Sequence, residues 1–160
     1  MGRTVHSLAL LVVMAAYQSP APPPASASSP LAGDWELNIG RTHYGPGVDR
    51  RRRERMTCAS EAARLRCVIR SVRTRGLELT GRFTASLDGV AAAVTGIPDV
   101  DEVRLRQRDG LLVDATFLFR GKPIFGYRAF QSGDGRSLMV ISVDPVTRVA
   151  ATTIVVYDRR

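Results

Sequence analysis

The chain has 160 residues, with 23 Lys and Arg against 15 Asp and Glu, a formal net charge of +8 at pH 7. A basic surface points to anionic partners, but net charge speaks to association and solubility rather than to fold, and arginines spread as solubilising charge account for it too. Two cysteines and two histidines leave little material for a metal centre.

Residues 1 to 16, "MGRTVHSLALLVVMAA", place Arg3 before an apolar run of about ten residues, the size of a signal-peptide core and too short to span a bilayer. Cleavage fits after Ala15 or after Ala27, and no cysteine follows the run to accept a lipid. A soluble exported protein, periplasmic or secreted, with no transmembrane segment in its mature chain is expected. "YQSPAPPPASASSP" then reads as an extended Pro/Ala/Ser tether, because its prolines remove donors and its small residues bury little. Residues 1–27 are assigned to signal and tether, and 28–160 to one domain.

From Gly33 onward apolar residues recur with period two, and turn residues interrupt them every eight to twelve positions. "GDWELNI" sets Trp35, Leu37 and Ile39 against Asp34, Glu36 and Asn38, a half-buried strand. A Gly/Pro loop, "THYGPGVD", follows. "RRRERMTCA" and "RLRCVIRSVRT" come next, and a turn centred on Ala62 and Ala63 sets Glu61 opposite Arg64, Ser60 opposite Leu65 and Cys58 opposite Cys67. The two cysteines of an exported chain then form one disulfide across neighbouring strands. In that register Met56, Cys58, Leu65, Cys67 and Ile69 share the inner face, joined by Glu54 and Arg52, while Arg53, Arg55, Arg66 and Arg70 face water.

The remaining segments continue the meander. "LELTGRFTASL" puts Leu77, Leu79, Phe83 and Ala85 on one face, and Asp88-Gly89 turns the chain into "VAAAVT". "VDEVRLRQ" follows the break at "GIPD". "LLVDATFLFR" carries Leu111, Val113, Ala115, Phe117 and Phe119 on its apolar face, and "PIFGYRAFQ", "SLMVISV" and "VAATTIVVYDR" complete the count. About ten strands joined by short turns must be antiparallel neighbours. Closure into an up-and-down barrel removes the exposed edges of such a sheet, with a β-sandwich as the alternative.

Catalytic constellations are sparse. His43 lies in the "THYGPG" loop without a Gly-x-Ser-x-Gly context, and Asp99, Asp101 and Glu102 read as turn caps and solvated ends. The run "DRRRRER" has no interleaved aromatics to stack on bases, and export argues against nucleic acid as a partner. No catalytic residue, metal site or cofactor is assigned. A ligand inside the barrel would meet Tyr157, Phe83, Phe117 and Phe119 on the wall. Glu54 belongs to the same inner set, and Arg128 interrupts the apolar "PIFGYRAF". A charge turned into an apolar interior is costly unless paired or used to hold a ligand. Arg128 anchors an anionic group if Ile124, Gly126 and Phe130 face inward with it; the alternative inner face is Phe125, Tyr127 and Ala129.

"AGDWELN" resembles the Gly-x-Trp opening of the lipocalin and fatty-acid-binding-protein barrels. That resemblance implies that Gly33 and Trp35 lie on the first strand at the closed end, with a basic residue of the last strand packed over the indole. Arg159 in "VVYDRR" occupies that place. Residues 31 to 158 also resemble a group of exported bacterial proteins on the same plan, through "LAGDWELNIGRTHYGPG", "VTGIPDVDEVRLRQRDG" and "FRGKPIFGYRAFQSGDGRSLMV". These are motifs of layout and imply no substrate. The fatty-acid-binding barrels carry an Arg-x-Tyr on their last strand to hold a carboxylate; Val155-Val156-Tyr157 keeps only the tyrosine. The expected function is interior binding of a small hydrophobic or amphipathic ligand, the alternative being attachment of an Arg-rich outer face to anionic lipid or polysaccharide of the envelope.

Overall fold

The computed structural model describes residues 29–48 and 50–160. The segment read as signal and tether, residues 1–27, lies outside the described residues. The rest forms ten strands: β1 (Gly33–Leu37), β2 (Arg51–Glu61), β3 (Arg64–Arg73), β4 (Glu78–Ser86), β5 (Asp88–Thr95), β6 (Glu102–Gln107), β7 (Leu112–Phe119), β8 (Lys122–Gln131), β9 (Ser137–Val143) and β10 (Ala150–Arg159). Each strand pairs with its neighbour in sequence, and β1 pairs with β10, so the meander is a closed barrel and not a sandwich. Closure leaves no exposed edge strand.

Alternating strand direction sorts the connections. The β1–β2, β3–β4, β5–β6, β7–β8 and β9–β10 connections lie at one end, and the chain entry at Ser29 to Ala32 lies with the other connections at the opposite end. The entry closes that opposite end. Trp35 is fully buried, its indole N–H donates to the Leu31 carbonyl at 2.9 Å, and the Arg159 guanidinium lies 4.3 Å from the ring centroid. Arg159 is held by donation from Nε to Gly135 O at 2.7 Å and from Nη2 to Ala32 O at 3.2 Å. Gly33 has φ 142°, and a Cβ there would stand 2.4 Å from Arg159 Nη1. Glycine is required both by its backbone and by the arginine above it.

The β2–β3 hairpin pairs Cys58 with Cys67, Ser60 with Leu65 and Glu61 with Arg64, the register expected from the sequence. Cys58 and Cys67 are disulfide-bonded, with Cα atoms 4.2 Å apart, and both are buried with Leu65 inside the barrel. Arg55 and Arg66 lie outside and pair with Asp34 and Glu61, while Arg70 stands opposite Arg55. Ala62 turns the hairpin with φ 53°.

Three residues read as inward are exposed, because the strands are shorter than the alternation suggests. Ile39 is 56% exposed: the chain leaves the ladder after Leu37, and the Asn38 side chain accepts from Arg41 N at 3.1 Å to cap a short 3-10 turn, Ile39–Arg41. Leu77 and Leu111 are exposed in the connections just before β4 and β7; the Asp109 carboxylate accepts from Leu111 N at 2.8 Å.

Candidate functional site: an aromatic cavity with one polar end

Inward residues of β2, β3, β4, β6, β7, β8, β9 and β10 leave an interior cavity of about 130 Å3. Its apolar wall includes Met56, Ile69, Phe83, Leu105, Ala115, Phe117, Phe125, Tyr127 and Val140. Period-two alternation brings these side chains to one face of each strand, and barrel closure turns those faces toward each other. The aromatic rings pack as a cluster: Phe117 stacks on Phe125 at 4.8 Å and meets Phe83 and Tyr127 edge-on at 6.4 and 5.9 Å.

The opposite part of the wall is polar. Arg51 Nη1 donates to the Tyr157 hydroxyl at 2.9 Å and lies 3.1 Å from Glu54 Oε1, and the Tyr157 hydroxyl donates to the same carboxylate oxygen. Arg51 Nη2 reaches the Tyr127 hydroxyl at 3.5 Å, and its backbone N–H reaches the Tyr44 hydroxyl at 3.3 Å. Burial opposes the Arg51 charge, but Tyr157 and Glu54 beside it outweigh that and raise its pKa. Burial pushes the Tyr157 phenol well up; Arg51 opposes this and Glu54 adds to it. Both groups therefore hold their protons. Arg51 also lines a wider opening with His43, Tyr44, Arg50, Arg52 and Thr74, so the ion pair stands between the cavity and the solvent.

Of the residues singled out from the sequence, Glu54, Tyr157, Phe83 and Phe117 meet in the cavity wall. Arg128 does not. It lies on the outer wall, 3.1 Å from Asp114, a buried carboxylate also held by Arg108 and Arg148 at 2.8 Å each. Burial raises the Asp114 pKa, and the three guanidinium groups bring it below its ordinary value. The inner face of β8 is therefore Phe125, Tyr127 and Ala129. Gly126 explains that choice. The β9–β10 connection folds against it from outside, so a Cβ there would meet Arg148 Nη1 at 2.7 Å and Pro145 Cα at 3.3 Å. Phe119 is half-buried at the end of β7 under the Arg120 guanidinium, 5.0 Å from its ring centroid, and does not line the cavity.

Arg52 also departs from the expected register. β2 pairs Arg51 with Arg73 and Arg53 with Val72, leaving Arg52 as the extra residue of a bulge. The bulge turns Arg51 inward and Arg52 to solvent. Ile97 is a second wall residue that alternation does not reveal. It reaches in from the β5–β6 connection over Gly81, where a Cβ would stand 2.7 Å from Ile97 Cγ1 and Cδ1.

His43 is exposed and joined to Ile154 through its backbone. Among the described residues no group of three His, Cys, Asp or Glu stands close enough to hold a metal ion, and no helix is long and apolar enough to cross a membrane. The architecture and the cavity together define the class: a closed, ten-stranded, up-and-down antiparallel barrel with an aromatic interior. No family model, curated protein or solved structure matches the chain.

Proposed function

We propose that this is an exported, lipocalin-like carrier or sensor barrel that binds a small, largely apolar ligand in its interior and performs no catalysis. The observation that carries this reading is the unfilled cavity of about 130 Å3 inside an otherwise packed barrel. Small barrels generally fill their interiors with side chains. Here five aromatic side chains surround a space instead, with a single polar group of residues at one end, the composition expected of a ligand pocket. The volume sets the scale of the ligand. An apolar cavity of about 150 Å3 holds one benzene molecule, so a ligand of about one ring, or a short aliphatic chain, fits without rearrangement. A long-chain fatty acid does not. Export rests on the N-terminal apolar run alone.

The test is native mass spectrometry of the protein purified from its own envelope, run beside Ala115→Phe, in which a ring replaces a methyl group in the cavity wall. A small molecule retained by the natural chain and absent from the variant supports interior binding. A molecule retained equally by both, and released by raised salt, would move the site to the arginine-rich exterior.

A further inference from the structure

The polar end of the cavity defines which ligands the barrel should prefer. Tyr157 has its hydrogen bonds satisfied on both sides: its oxygen accepts from Arg51 and its proton goes to Glu54. Tyr127 differs. Its hydroxyl lies in the cavity wall, accepts only from Arg51 Nη2 at the long distance of 3.5 Å, and donates to no described residue. A phenol proton and a loosely engaged guanidinium N–H thus stand together at the junction between the aromatic cluster and the ion pair. Both are donors. The group that completes them is an acceptor.

The charge of that acceptor follows from the ion pair. Arg51 and Glu54 are 3.1 Å apart, so the positive charge that reaches the Tyr127 hydroxyl is already balanced. Arg73, which also lines the cavity, is engaged in interactions of its own. A ligand carboxylate would add a negative charge beside Glu54 in a largely apolar enclosure, where an unbalanced charge is strongly disfavoured. A neutral carbonyl oxygen accepts the same two hydrogen bonds without that cost. A pure hydrocarbon of the same size would fill the aromatic part and leave both donors unused.

We infer that the barrel selects neutral ligands of about one ring that carry a carbonyl oxygen, read by the Tyr127 hydroxyl and Arg51 Nη2. This rests on the interior-binding reading, and the experiment separates the two. The natural chain and Tyr127→Phe are titrated calorimetrically with acetophenone, ethylbenzene and benzoate, probes of nearly equal size. In the natural chain acetophenone should bind about tenfold tighter than ethylbenzene, the effect of one well-placed buried hydrogen bond. Benzoate should bind more weakly than acetophenone. Tyr127→Phe removes only a hydroxyl and should weaken acetophenone binding severalfold more than ethylbenzene binding, with Arg51 Nη2 left as the remaining donor. Equal affinities for acetophenone and ethylbenzene, or tightest binding of benzoate, would overturn the carbonyl preference while leaving interior binding intact. No heat of binding from any probe, with no displacement by them of a ligand carried through purification, would overturn both.

Discussion

The guanidinium of Arg159 covers the indole of Trp35 at 4.3 Å, joining the last strand of the barrel to the first across the closing seam. The indole is fully buried and its N–H is bound to Leu31 O, so the ring ties together the chain entry, β1 and β10. Trp35→Ala should cost on the order of 3 kcal/mol or more, as large aromatic truncations in packed cores do. Arg159→Ala should cost less, about 0.5–1 kcal/mol, because its cation–π contact lies at an exposed site. Urea denaturation of both variants measures this. An unchanged midpoint for Trp35→Ala, with ligand binding lost, would make the tryptophan a site residue and not a structural plug.

Among the described residues, Arg51 and Glu54 form an ion pair that faces the interior with both partners largely buried, their side chains 12% and 5% exposed. Removing either partner strands a charge. Glu54→Leu, which leaves Arg51 without its carboxylate, should therefore destabilise the fold by about 3–5 kcal/mol. Arg51→Met combined with Glu54→Leu should recover much of that loss, because an apolar pair replaces a buried ionic one. A double-mutant cycle by urea denaturation tests the coupling, and strict additivity of the two single losses would show that the pair is not coupled.

The contrast between Arg51 and Cys58 shows what can be read from sequence in this chain. Cys58 and Cys67 lie in segments where apolar and polar residues alternate, so a single turn assignment sets every pairing from Glu61 to Met56. The arginine run from Arg50 to Arg53 has no alternation at all, and a bulge within it leaves no mark on the pattern. Arg51 was illegible for that reason. Arg128 illustrates a different limit. Both faces of β8 carry apolar residues, and the decision is made by Gly126, which receives a distant loop on the outer wall. The strands follow from local pattern, and the closed end is implied by the resemblance of the Gly-x-Trp opening; the polar end of the cavity follows from a bulge and a tertiary contact.

The disulfide crosses two strands already joined by a tight turn, with a sequence separation of nine residues. A short loop limits its entropic effect on the unfolded chain. Reduction, or Cys58→Ala with Cys67→Ala, should lower stability by about 2–3 kcal/mol while the barrel remains folded. Thermal unfolding with and without reductant gives the difference, and the double variant should show no further response to reductant. Loss of the folded state on reduction would mean that the hairpin register depends on the bridge and not on alternation.

Ile97 and Gly81 set the size of the cavity on the side of the β5–β6 connection. Gly81→Ala places a methyl group 2.7 Å from two Ile97 carbons, so the isoleucine must move. The expected cost is about 1–3 kcal/mol, as for other overpacked interiors. Ile97→Ala should do the reverse to the cavity and admit ligands larger than one ring. Combining the two changes should restore most of the stability lost in Gly81→Ala, since the smaller side chain leaves room for the added methyl. Binding of a homologous series of alkylbenzenes to the three variants reads the change in permitted size; an unaltered size limit in Ile97→Ala would remove Ile97 from the wall.

Tyr157 makes stability depend on alkaline pH. Its folded pKa is raised by burial and by Glu54, against an unfolded value of about 10. The folded state therefore binds this proton more tightly than the unfolded state does. The resulting stability is fully present below about pH 10 and is lost as pH rises from there toward the folded value, because the unfolded chain gains by ionising first. Phenolate absorbance of the natural chain should show Tyr157 ionising only with global unfolding, and Tyr157→Phe should lose one tyrosine from that class. The variant loses the hydrogen bonds to Glu54 and Arg51 and so starts less stable at neutral pH. Its stability should nevertheless fall less steeply above pH 10. Parallel pH dependences for the two proteins would place the raised phenol elsewhere and break the link between Tyr157, Glu54 and the polar end of the cavity.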